Sequence, residues 1–570
     1  MAYITHKRIK GNTYYYAEES EWKDGRARRK WQKYLGSLTK IIAALEGAGE
    51  KPRYAEIFQL GGPAACWRVA QEHQLVSILE RILPKRRQGL SVGFYLMLAA
   101  MNRAIAPASK RSMWQWFQGT VFLRRFPEAT QEALSSPRFW DNLSALKEQE
   151  LERAWLKLVR AVLADKKIDL SCVSFDGTNF YSFIGSFNTR CSLARRGKNK
   201  QGRSNLRQIN YALFCTRKDQ LPLYFDVFEG NRHDAKEFGV AIEKFFRAFA
   251  DQRPARERSA MTIVFDKGNN SPANFAAFAE RSHYHFVGSV KPADHKDLSL
   301  ISNHDARLVP LADPRLEQVK AFRTTKVIYG KELTVVVTFN NNLYAAQVQS
   351  LNHELNKCLG QLSALGAKLD DRRAGRVTRG KSPTAASVQK QVAAILKGQY
   401  MKRLIDCAVT EQHGEPLLSY CINTKAQAEL SDTYLGKNIL ITDNHDWPTV
   451  DIILAYRSQS VIEETFKQMK DRKTGTWWPM FHWTDPMIRV HGFYCSLALL
   501  LRALAMMKTR EAGLGLSPNK LHEELTGIRE VINVFPKRKR RRATQSVVSK
   551  LGEVQKRLFE LFKMDRFLSS

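Results

Sequence analysis

The sequence lacks the cysteine patterns that build a disulfide framework or a zinc site. Its eight cysteines are dispersed along 570 residues, with no C-x-x-C pair and no Cys/His cluster at zinc spacing. We therefore expect reduced, mostly buried thiols, which is typical of a cytoplasmic protein. A small disulfide-stapled scaffold is excluded.

Long hydrophobic runs are also missing. The most apolar stretch, residues 492–507, contains Arg502 and is shorter than the roughly 20 residues that a membrane span needs. The first residues, Met-Ala-Tyr-Ile-Thr-His-Lys, lack the charged-then-apolar layout of a secretory signal. We expect no membrane association and predict that residues 492–507 form a buried helix.

Acidic residues are scarce relative to basic ones, with 56 Asp and Glu against 90 Lys and Arg and a net charge of +34. Such an excess favours a polyanionic partner, and nucleic acid is the commonest one. A basic enzyme that binds no nucleic acid is the alternative that charge alone leaves open. The length is enough for about three or four domains.

The centre of the chain has a recognisable order of elements. Strand-like segments at 168–175, 209–215 and 221–228 precede a helix at 234–249, a strand at 262–265, a helix at 271–282 and a strand at 285–290. This order is typical of an α/β, ribonuclease H-like core, in which helices flank a mixed sheet. We predict that fold for the catalytic core.

An inserted β-rich subdomain is predicted to interrupt this core. Strand-like segments at 325–339 and 407–422 flank two helical stretches. The first stretch has a heptad seam of Val348, Leu351, Leu355, Cys358, Leu362 and Leu365. An antiparallel helical hairpin near 346–405 follows, with a basic tip at 372–381 that either contacts DNA or is simply solvated.

The regions outside the core complete the predicted division. Residues 2–38 alternate aromatic and basic side chains around an Asp24-Gly25 turn, which predicts a β-hairpin whose surface either contacts DNA or is an ordinary small sheet. The predicted domains are 1–40, a small β-hairpin unit; 41–165, a helical DNA-binding region; 166–292 and 435–510, the core; 293–434, the insert; and 511–570, a basic and helical C-terminal region.

One motif in the hairpin tip imitates a phosphate-binding loop. Residues 375–382 match G-x-x-x-x-G-K-[ST] letter for letter. A phosphate loop needs a buried strand before it and a helix that starts at the Lys-Ser pair. The preceding residues are too polar for a buried strand and Pro383 follows directly, so no nucleotide cofactor is expected.

Three carboxylates are the candidate catalytic residues. Asp176 and Asp266 are predicted to end the first and fourth strands of the core, which are neighbours in this topology, and Glu463 would reach them from a helix. Converging carboxylates repel one another unless cations are present, and hard oxygen ligands suit Mg²⁺ or Mn²⁺. Two ions about 4 Å apart would support cleavage or transfer of a phosphodiester.

The helix that contains Glu463 also presents two cations. A helix over 456–470 places Glu463, Lys467 and Lys470 on one face, because they are four and seven residues apart. Beside a DNA backbone this face would offer one metal ligand and two phosphate contacts. The alternative is an amphipathic helix whose charged face is only solvated.

With these residues the chain resembles the DDE transposases of bacterial insertion sequences, in the branch with a Tyr-x2-Arg-x3-Glu-x6-Lys signature. Tyr456, Glu463 and Lys470 match at the family's spacing, and Gln459 stands at the arginine position. The resemblance implies that the tyrosine, arginine and lysine positions contact phosphates at the transposon end, with Arg457 near enough to supply the charge that Gln459 lacks. Residues 478–491 also look like the family's stretch after the glutamate.

The resemblance implies metal-dependent cleavage at transposon ends and strand transfer into target DNA by a 3′-hydroxyl. It further implies a partner of double-stranded DNA with terminal inverted repeats, a homodimer in the synaptic complex, and a bacterial cytoplasmic protein that is nucleoid-associated when bound. A hairpin intermediate, and stacking of Trp477, Trp478 or Trp483 on a displaced base, stay open; core packing of these tryptophans is the alternative.

Two other functions are left open by the sequence. A metal-dependent nuclease that cuts without joining would use the same first step, and a transposase-derived DNA-binding protein would have lost catalysis.

Downstream, the basic run 537–542 is expected to lie on phosphates or in a solvated linker. Residues 544–567 are predicted to form a closing amphipathic helix.

Overall fold

The computed structural model describes residues 2–23, 25–47, 51–84, 89–199, 201–250, 260–536 and 544–569. The basic run predicted at 537–542 and Asp24 of the predicted turn lie outside the described residues. The helices are α1 Leu38–Gly47, α2 Gly61–Glu72, α3 Leu75–Ile82, α4 Val92–Ile105, α5 Met113–Gln118, α6 Phe122–Arg125, α7 Ser136–Leu143, α8 Glu148–Asp165, α9 Asp234–Ala250, α10 Pro272–Ala279, α11 Lys296–Ser299, α12 Asn341–Arg373, α13 Ala385–Ile395, α14 Met401–Leu404, α15 Thr424–Thr433, α16 Thr449–Arg457, α17 Gln459–Lys470, α18 Asp485–Glu511, α19 Pro518–Gly527 and α20 Glu553–Leu561. The strands are β1 Ala2–Ile9, β2 Asn12–Lys23, β3 Arg26–Ser37, β4 Tyr54–Gln59, β5 Cys172–Ser182, β6 Arg207–Thr216, β7 Pro222–Glu229, β8 Met261–Val264, β9 Tyr284–Val290, β10 Val309–Pro310, β11 Val319–Ile328, β12 Lys331–Asn340, β13 Ile405–Gln412, β14 Glu415–Ile422, β15 Lys437–Thr442, β16 Arg529–Val534 and β17 Thr544–Val548.

The chain divides into two compact units that cut across the predicted domains. One unit consists of Met1–Val69, Ser112–Gln131 and Lys508–Ser570, and the other of Ala70–Arg111 and Glu132–Met507. The first unit therefore joins segments from both ends of the chain. The second contains the candidate site.

The first unit contains two antiparallel three-stranded sheets. One is β1-β2-β3, so the predicted hairpin is a three-stranded meander. The other is β17-β16-β4, which means that the region predicted to be helical from 41 onward also contributes a strand. The predicted closing helix over 544–567 is partly wrong, because residues 544–548 pair with β16 and only the later part is helical.

A nine-stranded mixed sheet dominates the second unit, in the order β10-β11-β12-β15-β9-β8-β5-β6-β7. Within it, β5 is parallel to β8 and antiparallel to β6, and β8 is parallel to β9. The predicted element order of the core, and the predicted adjacency of its first and fourth strands, are both present. The unit is thus a mixed α/β structure.

Helices cover both faces of this sheet. On one face, Phe238 of α9 packs on Phe175 of β5, with 4.7 Å between ring centroids. On the other face, Ile452 of α16 lies in one buried cluster with Val264 of β8 and Val287 of β9. Neighbouring positions of β5 therefore face different helices, as the alternation of side chains in a strand requires.

The strands of the predicted insert extend the central sheet instead of forming a sheet of their own. The segment predicted at 325–339 is a hairpin of β11 and β12, with positive φ angles at Tyr329 and Gly330 that suit a tight two-residue turn. β12 pairs with β15, and β15 pairs with β9. Only the β13–β14 hairpin forms a separate two-stranded sheet.

The predicted helical hairpin is present as α12 and α13. The heptad positions Leu351, Leu355, Cys358, Leu362 and Leu365 are buried in one cluster with Val388 and Val392. The motif at 375–382 that imitates a phosphate loop follows helix α12 and not a strand, and the next helix, α13, begins only after Thr384. The strand and helix that a phosphate loop needs are therefore not beside this motif, as the sequence predicted. Arg372 folds the tip by donating to the carbonyls of Arg379 and Gly380.

The apolar stretch predicted to be a buried helix lies in α18. By length and composition this is the single helix among the described residues that could cross a membrane, but 89% of its most apolar window is buried inside the structure. A core helix meets the same criteria. The eight cysteines are free thiols, six of them buried, as the sequence predicted.

Candidate active site

Asp176 and Asp266 lie at one edge of the central sheet. The parallel pairing of β5 with β8 ends at Ser174 opposite Val264. Asp176 is two residues beyond Ser174, and Asp266 is two residues beyond Val264. This common register brings the two aspartates to neighbouring positions, with Asp176 half-buried and Asp266 exposed.

The sequence predicted that Asp176 ends its strand, and this prediction is wrong, because β5 continues beyond it. β5 begins later than expected, because the Asp169 carboxylate accepts a hydrogen bond from the Ser171 amide in a turn (2.8 Å). It then stays paired with β6 through Ser182. Asp176 is therefore fixed by an antiparallel neighbour on one side, while its other side opens where β8 stops.

The segment predicted as one helix over 456–470 is two helices that meet at Ser458. The Ser458 hydroxyl donates to the carbonyl of Ala455 (2.6 Å) and lies 3.0 Å from the hydroxyl of Ser174 on β5. The side-chain amide of Gln459 (Nε2) donates to the backbone carbonyl of Phe175 (3.2 Å). These contacts fasten the start of α17 to β5 directly beside Asp176.

The face of α17 predicted to present one carboxylate and two cations exists. Glu463 and Lys467 are exposed, and Lys470 is half-buried. The Lys470 ammonium donates to the hydroxyl of Thr178 (2.5 Å), which lies two residues after Asp176 and on the same face of β5. Lys467 is 3.6 Å from Glu464, its neighbour on the helix surface.

Tyr456 connects α16 with Asp266. Its hydroxyl is 2.8 Å from the hydroxyl of Ser289 and donates to Oδ1 of Asp266 at 3.4 Å. Burial is the main cause that raises the pKa of Tyr456 to about 12, and the negative charges of Asp266 and Glu463 add to it. The phenol is therefore neutral at physiological pH, and the carboxylate that it contacts is that of Asp266.

Arg457 and Gln459, which the resemblance places near phosphate, have protein partners in this structure. Arg457 is exposed, and its guanidinium donates to the carbonyl of Arg315 (2.9 Å). Gln459 is half-buried and bonded to β5 as described above. Of the two, only Arg457 has a charge to offer at the surface.

One acidic residue that the sequence analysis did not single out, Glu237, lies on the other face of β5. Glu237 of α9 is buried, and its Oε2 accepts from the amide of Asn210 (3.1 Å), while Oε1 has no hydrogen-bond partner. A Cβ added at Gly177 would lie 3.8 Å from this free oxygen. Burial, and then the charge of Asp234, raise the pKa of Glu237 to about 8.

Metal binding can be judged from the donor atoms. The described residues contain no group of three or more His, Cys, Asp or Glu that could hold an ion by itself. Mg²⁺, however, is usually bound by one or two carboxylates together with substrate phosphate oxygens and water. Asp176 and Asp266, at one sheet edge, have the oxygen donors that such an open site uses, and Glu463 lies on the exposed face of α17.

The three tryptophans beyond α17 have different environments. Trp477 is fully buried and stacks on Phe180 with 4.0 Å between ring centroids. Trp478 is 6% exposed and packs on Tyr181. Trp483 is 41% exposed and stacks on Trp140. Core packing thus accounts for Trp477 and Trp478 but not for Trp483.

Comparison with known proteins adds little to this geometry. No protein-family model and no curated protein matches the chain. Among solved structures, a piggyBac transposase synaptic complex with hairpin DNA is similar with a TM-score of 0.34 and 10% identity, over 83% of this chain and 82% of that chain. A similarity of this size supports no conclusion about the fold or activity of this chain.

Proposed function

We propose that the protein is a DDE-type DNA transposase with a ribonuclease H-like core, which cleaves transposon ends and transfers a strand into target DNA. The observation that best supports this is the placement of Asp176 and Asp266 at one sheet edge, with the start of α17, the helix that contains Glu463, fastened to β5 beside Asp176. The net charge of +34 favours a DNA substrate.

Each residue has a role in this proposal. Asp176, Asp266 and Glu463 would hold Mg²⁺ or Mn²⁺, and the bound ions would activate the attacking water or 3′-hydroxyl and stabilise the leaving oxygen. Lys467, Lys470 and Arg457 would orient the phosphate backbone as cations. Tyr456, a neutral donor bonded to Asp266, would hold that carboxylate in place and could donate to a phosphate oxygen when DNA displaces this bond.

The test is cleavage of DNA that contains the sequences flanking the protein's own gene, in the presence of Mg²⁺. The intact protein should cut these ends, whereas Glu463→Gln should bind the DNA normally and cut at least about a hundredfold more slowly. Glu464→Gln is the matched control, because Glu464 is the adjacent exposed carboxylate on α17 and pairs with Lys467. It should cut like the intact protein.

Other outcomes distinguish the alternatives. Equal cutting by both variants would remove Glu463 from the site. Cutting without joined products, when target DNA is supplied, would identify a nuclease that does not transfer strands. Tight binding without any metal-dependent cutting would identify a non-catalytic DNA-binding protein.

A further inference from the structure

A cavity of about 450 Å³ lies apart from the carboxylate site. It is bounded by the short 3-10 helix Lys110–Ser112, helix α7 and the segment before α18. Its lining includes Arg103, Lys110, Phe139, Trp140, Phe481 and Trp483. Cavities of roughly 300–1,000 Å³ are the size that takes small ligands. All of its lining residues belong to the second unit.

The inner part of this cavity contains two buried cations. Arg103 is 2% exposed and Lys110 is 8% exposed. The guanidinium of Arg103 donates to the carbonyls of Trp477 and Pro479, but its Nε has no partner, and neither does the ammonium nitrogen of Lys110. Burial, and then the charge of Arg103, lower the pKa of Lys110 well below its usual range, so the charged amine is disfavoured in this cavity. A bound anion would offset this cost and restore the charge of Lys110.

None of the groups around Lys110 supplies that anion. Its ammonium lies 4.2 Å from the ring centroid of Tyr494 and 5.4 Å from that of Phe139. Burial, and then the cations Lys110 and Arg103, lower the pKa of His482 to about 3, so this imidazole is neutral. Burial raises the pKa of the nearby Cys495 thiol to about 12, so the thiol is neutral as well.

The outer part of the cavity is aromatic and exposed. Phe481 is 71% exposed and Trp483 is 41% exposed. Trp483 stacks on Trp140 with 5.8 Å between ring centroids and 20° between planes. The Arg190 guanidinium also lies over the Trp483 ring, 5.7 Å from its centroid. A planar ring could therefore stack on the exposed Phe481 beside Trp483, since an aromatic face accepts any base.

We propose that this cavity binds a nucleotide through a terminal phosphate, with the phosphate against Lys110 and Arg103 and the base against Trp483 and Phe481. Because Arg103 and Lys110 are buried, a terminal phosphate monoester can approach them, whereas a phosphate within a duplex cannot leave its strand. The nucleotide is either a free nucleoside monophosphate or the 5′-phosphorylated end of a strand, which present the same groups. This inference does not depend on the proposed function.

The test uses the full-length protein and deoxyadenosine monophosphate as the probe, with binding measured by calorimetry and by quenching of tryptophan fluorescence. Lys110→Met should weaken binding at least about tenfold, because it removes the charge and keeps an unbranched apolar chain. Lys157→Met, an exposed lysine on α8, is the matched control and should bind like the intact protein. A cooperative melting transition in each variant would show that both are folded.

Two further ligands complete the test. Deoxyadenosine without phosphate should bind at least about tenfold more weakly than the monophosphate, since it lacks the group that faces Lys110. Trp483→Leu should weaken binding of the monophosphate but not of inorganic phosphate. Equal affinity for nucleoside and nucleotide, or equal affinity of Lys110→Met and the intact protein, would overturn the proposal.

The source of the nucleotide follows from competition between probes. A short single strand with a 5′-phosphate, compared with the same strand without it, should compete with the monophosphate if strand ends are the natural ligand. Competition by neither strand, together with binding of the monophosphate, would assign the cavity to a free nucleotide. Failure of both the monophosphate and the phosphorylated strand to bind would refute the site.

Discussion

At the scale of single residues, the acid with the most unusual environment is Glu237, on the face of β5 opposite α17. Its one unpartnered oxygen lies beside the strand residue that follows Asp176. A carboxyl with a pKa near 8 is largely protonated at neutral pH. It can therefore donate a proton where an ordinary glutamate could only accept one.

The stability of the protein should depend on pH through Glu237. The folded state binds this proton more tightly than the unfolded chain, so the stabilisation is complete below pH 4.5 and is lost as pH rises to about 8. Glu237→Gln has no proton to lose, so relative to the intact protein its stability should rise by up to about 5 kcal/mol across this range. Melting temperatures measured at several pH values would show this trend.

Glu464→Gln is the control for this effect, because it removes an exposed carboxylate. Its melting temperature should follow that of the intact protein at every pH. A difference between Glu237→Gln and the intact protein that did not change with pH would mean that Glu237 is ionised in the folded state.

The sequence predicted that the strands of Asp176 and Asp266 are neighbours, because strand patterns are local and their order is typical of one topology, and β5 does pair with β8. It could not predict Glu237, because the raised pKa comes from burial between α9 and β5, which are distant in the chain. The first turn of α9 does contain Asp234 and Glu237 three residues apart, and that pair was the available signal.

At the scale of elements, the long helix α12 depends on its buried seam. Leu362 has no exposed surface and belongs to the cluster shared with α13. Leu362→Ala should lower the free energy of opening of α12 and α13 by about 2–5 kcal/mol, because it leaves a cavity in that seam. Hydrogen exchange of the amides in these two helices would measure the loss.

Gln361→Ala is the matched control, because Gln361 is the exposed neighbour of Leu362. It should leave exchange in both helices unchanged. Amides of β5 and β6 should also keep their protection in Leu362→Ala, since they belong to the central sheet. Loss of protection throughout the second unit would show that the hairpin unfolds together with the sheet.

Local periodicity predicted the strands and helices of the core and the heptad seam, since each pattern repeats within one element. It did not predict which strands pair across long distances. Val335 of β12 pairs with Ile441 of β15, and no local pattern specifies that partner. For the same reason residues 544–548 were assigned to a helix, although their partner strand β16 stabilises them as a strand.

At the scale of the whole molecule, the large positive charge should make DNA binding strongly dependent on salt. Each neutralised phosphate releases a counterion, so a protein with six to ten such contacts loses roughly 10³–10⁵ in affinity between about 50 and 200 mM salt. We expect a loss of at least about a thousandfold for duplex DNA of arbitrary sequence, measured by fluorescence anisotropy.

Glu463→Gln should show the same salt dependence, because it removes no cation that contacts phosphate. If Lys467 contacts the DNA backbone, Lys467→Met should reduce the slope of log affinity against log salt concentration by about one. Binding that hardly changed with salt would mean that the excess charge is not used for DNA.

The return of the chain to the central sheet after its long excursion has an evolutionary consequence. The amide of Asn340 at the end of β12 donates to the carbonyl of Gly436 (2.9 Å), and β15 begins at the next residue. Residues 341–436 therefore leave the central sheet and rejoin it at adjacent positions. They form a replaceable cassette, in which length can change or a foreign module can be grafted while the register of the sheet stays as it is.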